Sequence, residues 1–312
     1  MRIVFIGTGE IGVPSLRALL DSRAHELVAV VTQPDKPVGR DQQIRPPPIK
    51  AALTGSAMPV FQPPRIRGEE AVANLRALTP EVIVVMAYGQ ILPSSVLEIP
   101  RRACLNLHAS LLPRHRGAAP IQAALVAGEN ETGITVIYMD EELDTGDILL
   151  KKRLPMLPNE TGGLLHDRLA ALAPTALLEA LDQLERGTAP RVPQDASQAT
   201  YAPKLTRDQG RIDWNEPAQL IERKIRAYDP WPGAFTRLRD PAGAARNLKI
   251  FRATVVSEVA AEPGTVLTPN ESQLLIATGR GGLRLEEMQL EGKRRMRAAE
   301  FLRGFSSPRL DF

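Results

Sequence analysis

Short apolar runs recur through the first half of the chain and alternate with stretches of helical spacing. Five of them, IVFIG at 3–7, LVAVVT at 27–32, VIVVMAY at 82–88, CLNLHAS at 104–110 and ITVIYM at 134–139, are rich in β-branched residues, which suit a pleated surface and predict strands. Most are nearly continuously apolar, so the sheet must be covered on both faces. With helical segments between the strands, the pattern predicts a parallel α/β sheet. A helical pattern at 161–186 closes this unit despite its internal Pro174.

GTAPRVPQDASQATYAPK follows, rich in Pro, Ala, Ser and Thr and poor in apolar periodicity, which predicts a linker. Beyond it, PAQLIERKIRAY has helical spacing, and LKIFRATVV, GTVLTP, QLLIATG and GLRLEEMQL are strand-like pieces parted by Gly and Pro turns. Such a series predicts a small β-barrel or sandwich. The expected organisation is an α/β domain over 1–189, a linker over 190–206 and a β domain over 207–312. One segment breaks the pattern. QPDKPVGRDQQIRPPPIK at 33–50 is too proline-rich for a strand and too basic for a buried loop, and loops of that length are often functional or disordered.

Charge separates the two halves. Residues 1–203 carry 20 Lys and Arg against 22 Asp and Glu, whereas residues 204–312 carry 19 against 14. The excess of cations sits in the C-terminal third, and GKRRMR at 292–297 is its densest piece. Clustered cations attract polyphosphate surfaces, and a solvated basic hairpin is the plainer alternative. No apolar run approaches the roughly 20 residues of a membrane span, and the N-terminal run is too short for a signal peptide. The single cysteine, Cys104, rules out an intramolecular disulfide or a multi-cysteine zinc site. A cytoplasmic protein is expected.

Two motifs carry candidate chemistry. Gly7, Gly9 and Gly12 have the G-x-G-x-x-G spacing between a strand and a helix. A nicotinamide site would also need an acid at the end of the second strand, where this chain has Thr32 and Gln33, with Asp35 further on. The glycines are then explained by a tight turn and close helix packing. In CLNLHASLLPRHRGAAPIQ, Asn106 and His108 are two residues apart, so a strand projects both to one face near its C-terminal end, where open α/β sheets bind ligands. Arg114 and Arg116 follow in a sharp turn. Asp144 sits in DEELDTGDIL after the next strand, in a loop expected at the same sheet edge. The crowd of carboxylates there also suits a Mg²⁺ or Ca²⁺ site, but the calcium-loop spacing is missing. An Asn, a His and an Asp converging on one edge suit acyl transfer, which needs an oxyanion donor, a proton shuttle and a group that orients the shuttle.

These residues resemble the 10-formyltetrahydrofolate-dependent formyltransferases: N-x-H at 106–108, SLLPRHRGAAPIQ at 110–122 and LDTGDIL at 143–149 match that group's pattern. AYGQILP at 87–93, VTQPDKPVGR at 31–40 and KLTRDQGRIDWNEPAQLIERKIRAYDPWPGAF at 204–235 are similar to the branch that acts on methionyl-tRNA, and the resemblance covers nearly the whole chain.

The resemblance implies a Rossmann-like, mostly parallel catalytic domain and a smaller OB-like β-barrel that binds tRNA. It implies Asn106, His108 and Asp144 as the catalytic set. Reduced folate would lie against Ser110, Leu111, Leu112 and Pro113, with its pterin near Tyr88, Gly89 and Asp140. The basic loop, with Lys36 and Arg40, would enter the acceptor end of initiator tRNA, and Lys293, Arg294 and Arg295 would meet its backbone. Gln42 and Gln43 stand where members often carry lysines, and His115 where an aromatic is usual. No metal is implied, and a monomer is expected. The rival readings are an amino-sugar nucleotide formyltransferase, a nicotinamide oxidoreductase and a non-catalytic RNA-binding module. The last leaves the Asn106, His108 and Asp144 constellation unexplained.

Overall fold

The computed structural model describes residues 1–39, 41–239, 243–270, 272–305 and 308–310. In chain order its strands are β1 (Arg2–Gly7), β2 (Glu26–Val31), β3 (Lys36–Val38), β4 (Gln43–Arg45), β5 (Val60–Phe61), β6 (Val82–Met86), β7 (Ala103–His108), β8 (Arg116–Gly117), β9 (Glu131–Tyr138), β10 (Ile148–Pro155), β11 (Tyr201–Ala202), β12 (Ala234–Arg239), β13 (Ala245–Val256), β14 (Val266–Asn270), β15 (Gln273–Ala277), β16 (Gly282–Leu290), β17 (Met296–Arg297) and β18 (Arg309–Leu310). The α-helices are α1 (Val13–Leu20), α2 (Pro48–Ala51), α3 (Glu69–Ala77), α4 (Ser94–Leu97), α5 (Pro120–Ala127), α6 (Gly162–Glu185), α7 (Ala218–Ala227) and α8 (Ala298–Gly304). The backbone packs as two compact units. One comprises Met1–Pro120, Glu131–Pro155 and His166–Ala202; the other comprises Ile121–Asn130, Met156–Leu165 and Pro203–Phe312.

The sheet of the first unit runs β10-β9-β7-β6-β1-β2-β5. All five strands that the sequence pattern marks are present. Those from β7 to β5 are mutually parallel, while β9 is antiparallel to β7 and β10 is antiparallel to β9. The sheet is thus mostly parallel, as expected, with β9 as the antiparallel member. Pattern alone does not give the direction of β9, because this interior strand is covered on both faces and is as continuously buried as β6. Val4, Ile6, Ala29, Val31, Ile83 and Val85 form the core on one face, each 5% exposed or less. Burying one such side chain stabilises by about 1.5–3 kcal/mol, so this face alone tightly specifies the register.

Gly7 and Gly12 prove to be packing glycines. A Cβ on Gly7 would stand 2.8 Å from the Met86 carbonyl, and one on Gly12 would stand 3.3 Å from the Phe5 ring. This is the reading in which the motif closes a turn against its neighbours.

The proline-rich segment does contain strands. β3 pairs antiparallel with β4, with Pro37 opposite Ile44. A two-stranded ribbon tolerates proline because each strand has a free edge toward which its missing N–H can point. α2 then begins on Pro48, whose fixed φ suits a first turn. The base of the ribbon is tied down: Lys50 Nζ donates to Asp35 Oδ2 at 2.7 Å, and Gln62 Nε2 donates to Asp35 Oδ1 at 2.6 Å. Those bonds hold the Asp35 carboxyl below its usual range. Arg40 lies outside the described residues.

In the second unit, antiparallel strands follow the order β14-β15-β16-β13-β12-β18, with β17 on β16. Ala218, Ile221 and Ile225 recur at helical spacing along α7 and pack with Trp214, Leu248, Ile250 and Leu285 in one core. The Trp214 indole N–H donates to Thr236 Oγ1 at 3.1 Å, which removes the penalty of burying it. Among the described residues, no helix is long and apolar enough to cross a membrane.

Candidate active site

Asn106 and His108 project from one face of β7, opposite Ile137 and Thr135 of β9. Because β9 is antiparallel to β7, it ends level with Leu105, and the Met139 N–H donates to the Cys104 carbonyl. The loop carrying Asp144 therefore starts level with the middle of β7, yet its carboxylate meets Asn106 and His108 at the C-terminal end of that strand, the edge where it was expected. Asn106 Nδ2 donates to Asp144 Oδ1 at 3.1 Å, the Gly117 N–H donates to Oδ2 at 2.8 Å, and His108 Nδ1 lies 3.5 Å from Oδ2. The three residues expected to act together are thus joined through one carboxyl group, and the His108 and Asp144 side chains are 6% and 10% exposed.

On its other side, His108 Nε2 lies 2.9 Å from the His115 carbonyl. A carbonyl only accepts, so Nε2 carries the hydrogen in this arrangement. An amide NH₂ has two hydrogens; Asn106 uses one on Asp144 and keeps a second for a ligand.

Backbone strain concentrates here. Asp144 (φ 56°), His115 (φ 60°) and Ala87 (φ 49°) all adopt the left-handed region, which is uncommon for residues other than glycine and least favourable of the three for Ala87. Gly146 is required for a different reason. A Cβ there would fall 1.7 Å from the Tyr138 carbonyl, so the Asp144 loop lies directly on the β9 backbone.

The residues expected to hold folate divide into two groups. Ser110 and Leu112 are fully buried: Ser110 Oγ donates to the Arg114 carbonyl at 2.7 Å, and Thr135 Oγ1 links the Ser110 carbonyl to the Leu112 N–H. They shape the turn, and Leu111 and Pro113 are the partly exposed members. The Tyr88 ring is 3% exposed in the core, where burial pushes its hydroxyl up to about 12. Its neighbours Ala87 and Gly89 are exposed, so this turn presents backbone to a ligand. Asp140 is exposed and accepts from Thr145 Oγ1 at 2.8 Å.

The expected tRNA contacts are surface residues. Lys36 is exposed on β3. Lys293, Arg294 and Arg295 are exposed beside Gly292, but Arg294 pairs with Glu300, and Arg295 Nε donates to Glu287 at 2.9 Å while its guanidinium lies 4.2 Å from the Phe251 ring centroid. Arg116, which follows His108 in the sharp turn, has its guanidinium on Gln194, with Nη2 to Oε1 at 2.8 Å. Sequence reasoning passes over Gln194 and Thr200, which touch this site. They lie in the segment that composition marks as a linker, and a lone polar residue in such a stretch has no periodicity to single it out.

Residues 1–181 match the formyl transferase family, and residues 204–306 match the formyl transferase C-terminal domain. With the Asn-His-Asp group set on a mostly parallel sheet, the chain belongs to the formyl transferases. Within them it belongs to the methionyl-tRNA formyltransferase group: it is 49% identical to the enzyme of that name from Akkermansia muciniphila, over 97% of this chain and 96% of that one.

Two solved structures share the fold. HypX from Aquifex aeolicus in complex with tetrahydrofolic acid aligns with a TM-score of 0.59 at 23% identity, covering 97% of this chain and 47% of that one, so the chain spans about half of HypX. WlaRD, a sugar 3N-formyl transferase, aligns with a TM-score of 0.66 at 16% identity, over 94% of this chain and 99% of that one. At these identities they speak for the fold alone.

Proposed function

We propose that the chain transfers a formyl group from 10-formyltetrahydrofolate to the α-amino group of methionine on initiator tRNA, acting as a monomer in the cytoplasm. The observation that carries the chemistry is the Asp144 carboxylate, which accepts from Asn106 and the Gly117 N–H and faces His108. Residues 1–189 form the catalytic part in this reading, 190–206 the linker and 207–312 the tRNA-binding part. The exposed backbone at Ala87 and Gly89, the apolar edges of Leu111 and Pro113 and the exposed Asp140 carboxylate suit a pterin, whose ring offers a flat apolar surface with N–H donors at one end.

Attack by the amine forms a bond to the formyl carbon and charges its oxygen. Asn106 donates its unused Nδ2 hydrogen to that oxygen, stabilising charge where it develops. His108 exchanges the His115 carbonyl for the reacting group, because in the resting arrangement Nε2 is engaged there and Nδ1 faces Asp144. Contacts of this kind tighten only when substrate is in place. Once Nε2 has left the His115 carbonyl, the neutral ring adopts the tautomer with its hydrogen on Nδ1 against Asp144, so Nε2 takes the proton lost by the amine and delivers it to the folate nitrogen as that nitrogen's bond to the formyl carbon breaks. Asp144 holds the ring in orientation and stabilises it while it carries that proton.

The test measures formyl-methionine formation from 10-formyltetrahydrofolate and charged initiator tRNA. Formylation that vanishes in His108→Ala supports the assignment. Formylation of an amino-sugar nucleotide instead, with Met-tRNA inert, would redirect it to the other acceptor class. The ribbon reading has its own test: Arg40→Ala should impair formylation of initiator Met-tRNA far more than folate binding, and equal loss of both would contradict it.

A further inference from the structure

Residues 182–203 fall between the two family matches, and composition marks most of them as a linker. The stretch from Arg191 to Ala202 is instead fastened along the active-site loops. The Arg191 guanidinium lies 3.6 Å from the Tyr138 ring centroid, and Val192 exchanges backbone hydrogen bonds with Ile148 at 2.8 and 3.0 Å. Thr200 Oγ1 accepts from the His115 N–H at 2.8 Å, and β11 pairs with β8, where the Gly117 α-carbon leaves no room for a side chain against the Ala202 carbonyl.

Gln194 sits between these fastenings with every polar atom of its side chain in use. Nε2 donates to the carbonyls of Asp144 at 2.9 Å and Gly146 at 2.8 Å, and Oε1 accepts from Arg116 Nε at 3.2 Å and Nη2 at 2.8 Å.

We propose that Gln194 is a positioning residue for catalysis, its amide fixing the Asp144 loop in the shape that aims the carboxylate at Asn106 and His108. The inference rests on the assignment of those residues as the catalytic set. Asp144 stands at φ 56°, in the left-handed region that a non-glycine residue enters at a cost, and the loop is held there from two sides. Beneath the loop, Gly146 presses on the Tyr138 carbonyl; above it, the Gln194 amide holds the carbonyls of the strained residue and of that glycine. Holding the Asp144 peptide fixes the direction of its Cα–Cβ bond, and hence where the carboxylate lands. The strap also reaches the other partner: Thr200 holds the His115 N–H while the His115 carbonyl holds His108 Nε2. A displacement of about 1 Å at a reacting group costs on the order of 100-fold in rate.

The experiment compares Gln194→Met and Gln194→Glu in the full-length protein. Both keep nearly the same shape; the glutamate keeps the acceptor facing Arg116 and loses the donor facing the loop. With the parent protein active, both variants should lose about 10-fold to 100-fold in kcat, with KM for folate and for Met-tRNA little changed. Normal turnover in Gln194→Glu would overturn the proposal, because the donor half would then be dispensable. So would a loss confined to KM, or one that merely follows the unfolded fraction seen in thermal melts. Gln194→Asn keeps both kinds of polar atom one methylene short; if the isosteres do not fold, it should show the same split at smaller amplitude, and normal turnover there would also overturn the proposal. An inactive parent protein would instead refute the underlying functional reading.

Discussion

The active-site cluster and the basic turn at 292–297 both stand out in sequence, but they differ in how their polar groups are answered. At the cluster, a carboxylate only 10% exposed is shared by an amide, an imidazole and a backbone N–H, so each member's position depends on the others. At the turn, Arg294 and Arg295 are exposed and each already faces a glutamate of its own unit. Buried polar groups must be partnered, so finding them together in sequence implies a geometry. Exposed charges need no partner, so their density implies only a field.

Substitutions at the two regions should therefore differ by orders of magnitude. The largest effect is expected from His108→Ala, a loss of roughly 100-fold to 10,000-fold in kcat with the fold retained, measured by formylation kinetics and circular dichroism. Asn106→Ala should follow with roughly 100-fold to 1000-fold, because one oxyanion donor disappears. Near-normal turnover in either variant would erase the distinction. At the turn, Lys293→Ala should reduce the slope of log affinity for tRNA against log salt by about one phosphate contact, whereas Arg295→Ala should change it less because Glu287 already answers that charge. Equal slopes would mean that the glutamate lets go on binding. The smallest effect belongs to Cys104, 6% exposed, whose thiol is pushed up to about 12 by burial. The thiolate is the reactive form, so iodoacetamide at pH 8 should leave the folded protein unlabelled and active and should label it fully in denaturant.

Much of the first unit is legible in the amino-acid sequence. Apolar, β-branched runs mark β1, β2, β6, β7 and β9, and the N-x-H spacing places Asn106 and His108 on one face because a strand has period two. The direction of β9 is not legible, since a buried strand carries the same pattern either way, and that direction decides how Asp144 reaches its partners. The ribbon β3–β4 is hidden by Pro37, which a ribbon edge accepts and a central strand does not. Gln194 and Thr200 are hidden because their partners are largely backbone groups, which no side-chain pattern reveals.

The central claim is that one carboxylate organises the catalytic group. Asp144→Asn preserves shape and removes the charge, so its single-turnover formylation rate, measured with saturating 10-formyltetrahydrofolate and Met-tRNA, tests that claim directly. A fall of roughly 100-fold or more, with both substrates still bound, is the predicted result. A rate within a few-fold of the parent protein would show that Asp144 serves only to hold the loop, and would contradict the account.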